Sequence, residues 1–176
     1  MAYGICLPRK IMAQNVDSLN RSAVSASVYE NGWVGYFSGR SATAGEGEVF
    51  TMVAPATAHL YDLWMAYEPE VVLTASKYKG LDPDPRNFIN AIGDVFSVFK
   101  PEVGDLIELS DDAIAGTKSS NTFVVATDGA QALTWAASAV SGLSLLLVEV
   151  TYYSIGLGTI GTQRVATSLF EVVAVR

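Results

Sequence analysis

Two long stretches near the end of the chain, "LSLLLVEVTYYSI" and "RVATSLFEVVAVR", constrain its fold more than anything else in it. In the second, Val165, Thr167, Leu169, Glu171, Val173 and Val175 share one face, and Ala166, Ser168, Phe170, Val172 and Ala174 share the other. A period of two with β-branched residues is the signature of a strand. The second face is nearly all apolar, so this strand reads as central, or covered on one side. "GLGTIG" at 156–161 links the two stretches, and its three glycines suit backbone angles that other residues avoid.

The same period recurs upstream. "SAVSASVY" sets Val24, Ala26 and Val28 opposite serines, and "GWVGYFS", "GEVFTMV", "EVVLTAS", "GDLIELS", "FVVAT" and "ALTWAAS" read as further strands. "TDGA" at 127–130 is an Asp-Gly hairpin signal between "FVVAT" and "ALTWAAS", and "AGEGE" at 44–48 marks another tight connection. Helical spacing is sparse. "NFINAIGDVFSVF" places Phe88, Ile92, Val95 and Phe99 at helical intervals, but Gly93 inside it allows at most a short helix. The expected fold is mainly β: an antiparallel β-sandwich or barrel, jelly-roll-like, with at most one or two short helices. Residues 1–20 lack a clean period and read as an extended N-terminal arm, lying along a neighbour or frayed as an ordinary terminus. Residues 21–176 then form one β domain, with a subdivision near residue 100 left open.

Charge narrows the function. The net charge is -7 and no lysine or arginine run occurs, which argues against a nucleic-acid partner, because phosphate binding needs clustered cations. Only 16% of residues are charged while half are hydrophobic, a balance that fits surface buried against a partner. Cys6 is the sole cysteine, so neither an intrachain disulfide nor a cysteine zinc site is available. No signal peptide is legible at the start, and the most apolar stretch is short and carries Glu149. The chain reads as soluble, without a membrane partner, and folded in a reducing compartment.

Chemistry is hard to assemble from these residues. The only histidine, His59, has no nucleophile elbow beside it, and Cys6 sits between Ile5 and Leu7, where an apolar setting blunts a thiol. Asp82, Asp84, Asp105, Glu108, Asp111 and Asp112 fit no EF-hand spacing, and no phosphate-binding loop occurs. No catalytic, cofactor-binding or metal-binding residue is expected. "GLDPDPRNFIN" at 80–90 is the one segment with site-like density. Its two prolines preset an extended, nearly rigid spacer, and Arg86 can fork onto a carboxylate within the chain or across a subunit boundary. Rigidity of this kind suits a fixed contact better than a catalytic pair.

Taken in order, "GLDPDPRNFINAIGDVFSVFKPEVGDLIELSDDAIAG", "FVVATDG" followed by "LTW", and "SIGLGTIGTQRVATSLFEVV" resemble small head proteins of tailed bacteriophages, over about residues 30–175. The resemblance implies a non-enzymatic virion protein of the capsid decoration or cement type, made in the host bacterial cytoplasm and placed on the outer head surface. Its implied partners are the major capsid protein and itself, as a trimer or dimer. The matching residues expected at an interface are Leu81, Asp82, Pro83, Asp84, Pro85, Arg86 and Asn87, with Arg164 near the "GTIGTQR" turn. An intramolecular Arg-Asp bracket is the competing account of the same residues. Competing functions are a head-tail connector, tail or other minor virion component, a small hydrolase using Asp82 and Asp84, and a sugar-binding module stacking on Trp33, Trp64 and Trp135.

Overall fold

The computed structural model describes residues 2–43, 45–68, 72–73, 81–82, 84–156 and 161–175. In chain order its strands are β1 (Cys6–Lys10), β2 (Asn20–Val24), β3 (Val34–Arg40), β4 (Val49–Val53), β5 (Trp64–Ala66), β6 (Val72–Leu73) and β7 (Leu81–Asp82). They continue as β8 (Phe96–Phe99), β9 (Leu106–Ser110), β10 (Ile114–Ala115), β11 (Phe123–Val125), β12 (Leu133–Ala136), β13 (Leu143–Gly156) and β14 (Thr162–Val175). Helical structure among the described residues is confined to three-residue 3-10 turns.

The protein is mainly β and built on two sheets. Strands β2-β4-β3-β5-β8 close into a small barrel, and β1-β9-β14-β13-β11-β12-β10 form a seven-stranded sheet. Pairing is antiparallel except for β2 with β4 and β10 with β12. One apolar cluster joins the two: Val34, Met65 and Phe99 of the barrel pack with Ile107, Leu109, Leu145, Phe170 and Val172 of the sheet. The barrel holds a second cluster around Tyr29, Met52, Phe96 and Val98. Burying side chains of this size contributes about 1.5–3 kcal/mol each.

Local chemistry explains the connections. The Asp-Gly signal is a real hairpin: Gly129 has φ +73°, and β11 and β12 pair from Phe123↔Ala136 to Val125↔Thr134. The two terminal stretches are neighbours, paired from Leu143↔Val175 to Gly156↔Thr162, while residues 157–160 of their link lie outside the described residues. Two bulges interrupt this ribbon, one of them at Val148, and each shifts the alternation by one residue. Of "EVVLTAS", only Val72 and Leu73 are described, paired with β7.

Three segments fold in ways that their pattern does not spell out. Within the first twenty residues, expected as an extended arm, β1 pairs with β9 of the same chain, Cys6 opposite Leu109, and Cys6 is fully buried. "NFINAIGDVFSVF" forms no helix. Asn90 bridges to Tyr29 through mutual backbone hydrogen bonds of 3.0 and 3.1 Å, Gly93 turns the chain at φ +79°, and Phe96–Phe99 is a strand facing the barrel interior. "SAVSASVY" stops being a strand at Val24, and it buries Ala23 and Ser25 while Val28 is exposed. The interior of a five-stranded barrel, already filled by Tyr29, Met52 and Phe96, takes the small side chains.

Candidate functional site

Asp84 and Arg86 form a closed bracket. The Asp84 carboxylate accepts from the Arg86 backbone N–H at 3.0 Å and from Nε and Nη2 of the same residue at 2.9 and 2.7 Å. Asp84 thereby caps the 3-10 turn Pro85–Asn87, with Pro85 preset for its first position. The side-chain hydrogen bonds from Arg86 hold the Asp84 carboxyl below its usual value, and Asp84 in turn raises Arg86. The Arg86 carbonyl accepts from the Tyr3 N–H at 2.8 Å, and Nη2 donates to Gln163 Oε1 at 2.8 Å. The bracket is therefore bonded within the chain, clasping the N-terminal segment and the β13–β14 ribbon.

The other expected contact residues fall differently. Leu81 and Asp82 supply the backbone of β7, but their side chains, and Pro83 entirely, lie outside the described residues. Pro85 is buried under the turn, and the Asn87 N–H donates to the Asp84 carbonyl at 3.1 Å. Arg164 is exposed opposite Ser154. It is not brought to the bracket, because consecutive residues of a strand point to opposite faces, and Gln163 is the one facing Arg86.

A second polar centre was not singled out from the sequence. Glu108, in the middle of β9, has a side chain only 4% exposed. Its Oε1 accepts from Thr151 Oγ1 at 2.9 Å and from Thr167 Oγ1 at 2.6 Å, and its Oε2 accepts from Arg9 Nε at 2.6 Å. Burial alone raises this carboxyl, but the hydrogen bonds from Thr167, Arg9 and Thr151, with the Arg9 charge, outweigh burial and hold it below its usual value. Thr151 and Thr167 are directly opposite on β13 and β14. The legible signal was a glutamate in an otherwise apolar alternation, "LIEL", with threonines at matching positions of the two longest strands.

The remaining candidates are engaged in packing. Trp135 lies in the core, tilted against Phe170 with centroids 5.6 Å apart. Trp64 stacks on Phe37 at 4.6 Å with the Arg21 guanidinium 6.0 Å from its ring, and Trp33 packs edge-on to Tyr29. An open groove of about 900 Å³ runs between the 3-10 turns after β1 and the barrel, flanked by Asp17, Arg21, Arg40 and Glu48. Its two cations are already engaged, Arg21 against the Trp64 ring and Arg40 at 5.1 Å from the Phe50 ring with a bond to the Gly47 carbonyl. His59 is exposed in the 3-10 turn Ala58–Leu60. Among the described residues no group of three or more His, Cys, Asp or Glu side chains is placed to hold a metal ion, and no helix is long and apolar enough to cross a membrane.

Among the described residues, one strand edge is left without a partner strand. β11 pairs with β13 only at Ser144, Leu145 and Leu146, and the Leu147 N–H donates to the Thr122 carbonyl at 2.7 Å. Beyond that point, among the described residues, no strand pairs with the outer edge of β13. Val148, Val150 and Tyr152 stand there 52%, 49% and 62% exposed. An open backbone edge with apolar side chains can add a strand, and that is the chemistry this surface offers. Comparison with protein-family models gives no match, nor does comparison with curated proteins or with solved structures.

Proposed function

We propose that the chain is a non-enzymatic structural protein of a tailed-bacteriophage virion, a decoration or cement protein on the outer surface of the head. The observation that supports this reading is the contrast between its polar and apolar groups. The bonded carboxylates Asp84 and Glu108 are held by Arg86, Arg9 and two threonines, whereas among the described residues an apolar strand edge on β13 has no partner strand. Bonded carboxylates hold a fold in place, and open apolar edges build assemblies. The likeness of the 80–116, 123–135 and 154–173 segments to small phage head proteins supplies the setting, and the acidic net charge keeps such a protein off packaged nucleic acid.

A cement protein acts by binding the assembled shell and not its separated parts. Modest contacts repeated over many copies then shift the shell towards the assembled state by mass action, and linkage between copies strengthens each contact. The test is to purify particles and quantify this chain against the most abundant shell protein. A ratio near unity that survives salt washing supports the reading. A ratio of a few per cent moves the chain to the connector or tail, and absence from the particles overturns the virion reading.

A further inference from the structure

Among the described residues, the seven-stranded sheet guards two of its edges and leaves a third without a partner strand. At one end β1 carries Pro8, which has no N–H to donate, and the charges of Arg9 and Lys10, which discourage a further strand on its outer side. At the other end β10 is two residues long, too short to template a partner. The third edge is the stretch of β13 beyond Leu147, past the point where β11 begins at Phe123 opposite Leu146 and where β13 bulges at Val148. From Val148 to Gly156 this stretch has one charge, Glu149, and no proline. Natural sheets rarely leave such an edge unprotected unless something pairs with it.

We infer that this edge is the seat of a two-fold dimer, in which β13 pairs antiparallel with β13 of a second copy and joins the two large sheets. The occupant has to be an extended strand, because the groups left open are backbone N–H and C=O in a row. The segment is also its own complement. With the two-fold axis beside Thr151, Val150 faces Tyr152 of the second copy and Tyr152 faces its Val150, giving two aromatic–β-branched cross-strand pairs. In the same register Val148 meets Ser154 and Glu149 meets Tyr153, so the only charge of the edge never opposes itself. Thr151 points to the other face, where its hydroxyl serves Glu108, so dimer formation leaves that centre intact. An interface in which the same patch meets itself is the isologous geometry of a closed dimer, which ends without propagating into a fibre.

The experiment is sedimentation of the full chain across a wide concentration range, for wild type, V150K, and V150K combined with Y152E. Both positions are exposed, and circular dichroism with a urea midpoint checks that each variant is folded. The wild type is expected to dimerise, and V150K to weaken the dimer by about 10-fold or more, because the substitution enters two pairs at once. The double variant sets opposite charges across the axis and is expected to restore association. A wild type that is monomeric throughout, a dimer indifferent to V150K, or a loss that Y152E does not rescue overturns the inference. The dimer is independent of the virion reading: a monomer found on particles at shell-like copy number removes the first and leaves the second.

Discussion

Arg86 donates to the side chain of Gln163 across 77 positions of sequence, and through that 2.8 Å bond the Asp84–Asn87 turn is fastened to the β13–β14 ribbon. The same guanidinium holds Asp84, so one residue serves a local cap and a long-range tie. Its removal tests both.

Arg86→Ala is expected to destabilise the fold by about 1 kcal/mol. Charge-assisted bonds are worth more when buried, but this pair is partly exposed and screened by solvent. Gln163→Ala is expected to cost less, and the Arg86/Gln163 double variant less than the sum of the two, as read from urea midpoints in a double-mutant cycle. Additive losses would mean that the bond contributes nothing.

Acid is expected to weaken the Glu108 centre. Its folded-state pKa lies below the ordinary value, so its contribution is fully present above the unfolded pKa, near 4, and is lost as pH falls through the lower folded value. Glu108→Gln removes the charge while keeping the shape, and is expected to cost about 1.5–3 kcal/mol at neutral pH. The gap between wild type and variant should close progressively below about pH 4. Urea midpoints across that range read it directly; a gap that stays constant would contradict the assignment.

Gly4 is packed too tightly for a side chain. A Cβ there would lie 2.7 Å from the Ala113 Cβ and 2.8 Å from the Asn31 carbonyl oxygen, while the Gly4 N–H donates to Glu30 Oε2 at 2.7 Å. Gly4→Ala is expected to cost about 1–3 kcal/mol, the range for overpacking. Hydrogen exchange should show the loss first at Ile5 and Cys6, ahead of β14.

Phe170 is fully buried where the sheet meets the barrel, beside Trp135 and opposite both Leu147 and Ile107. Phe170→Ala is expected to cost about 3–5 kcal/mol, a large share of a small domain's stability. Thermal unfolding of the variant against wild type measures it.

Legibility in the sequence followed the range of the interactions. The Asp-Gly hairpin and the β13–β14 ribbon were readable because turn chemistry and alternation are local, written within a few residues of where they act. β1 was not readable, since "CLPRK" has no period of its own and becomes a strand only by pairing with Leu106–Leu109. The parallel pairing of β2 with β4 was hidden for the same reason. Asp84 and Arg86 were visible as a bracket because two residues separate them, whereas Gln163, which completes their bonding, sits on a strand whose pattern says nothing about Arg86. Glu108 was visible only as one acid among several, because the threonines that satisfy it come from β13 and β14.

The union of β1 with β9 also sets a timetable for synthesis. The Ile5 N–H finds its acceptor, Ser110 Oγ, 105 residues later in the chain. At common translation speeds the ribosome needs roughly 5–20 s to deliver that partner, so the nascent β1 waits far longer than a hairpin needs to form. Pro8, Arg9 and Lys10 are then useful well before the sheet exists, because they make a poor template for any strand the waiting segment meets first. β1 therefore waits until every strand of the barrel, through Phe99, has been made before its own partner arrives.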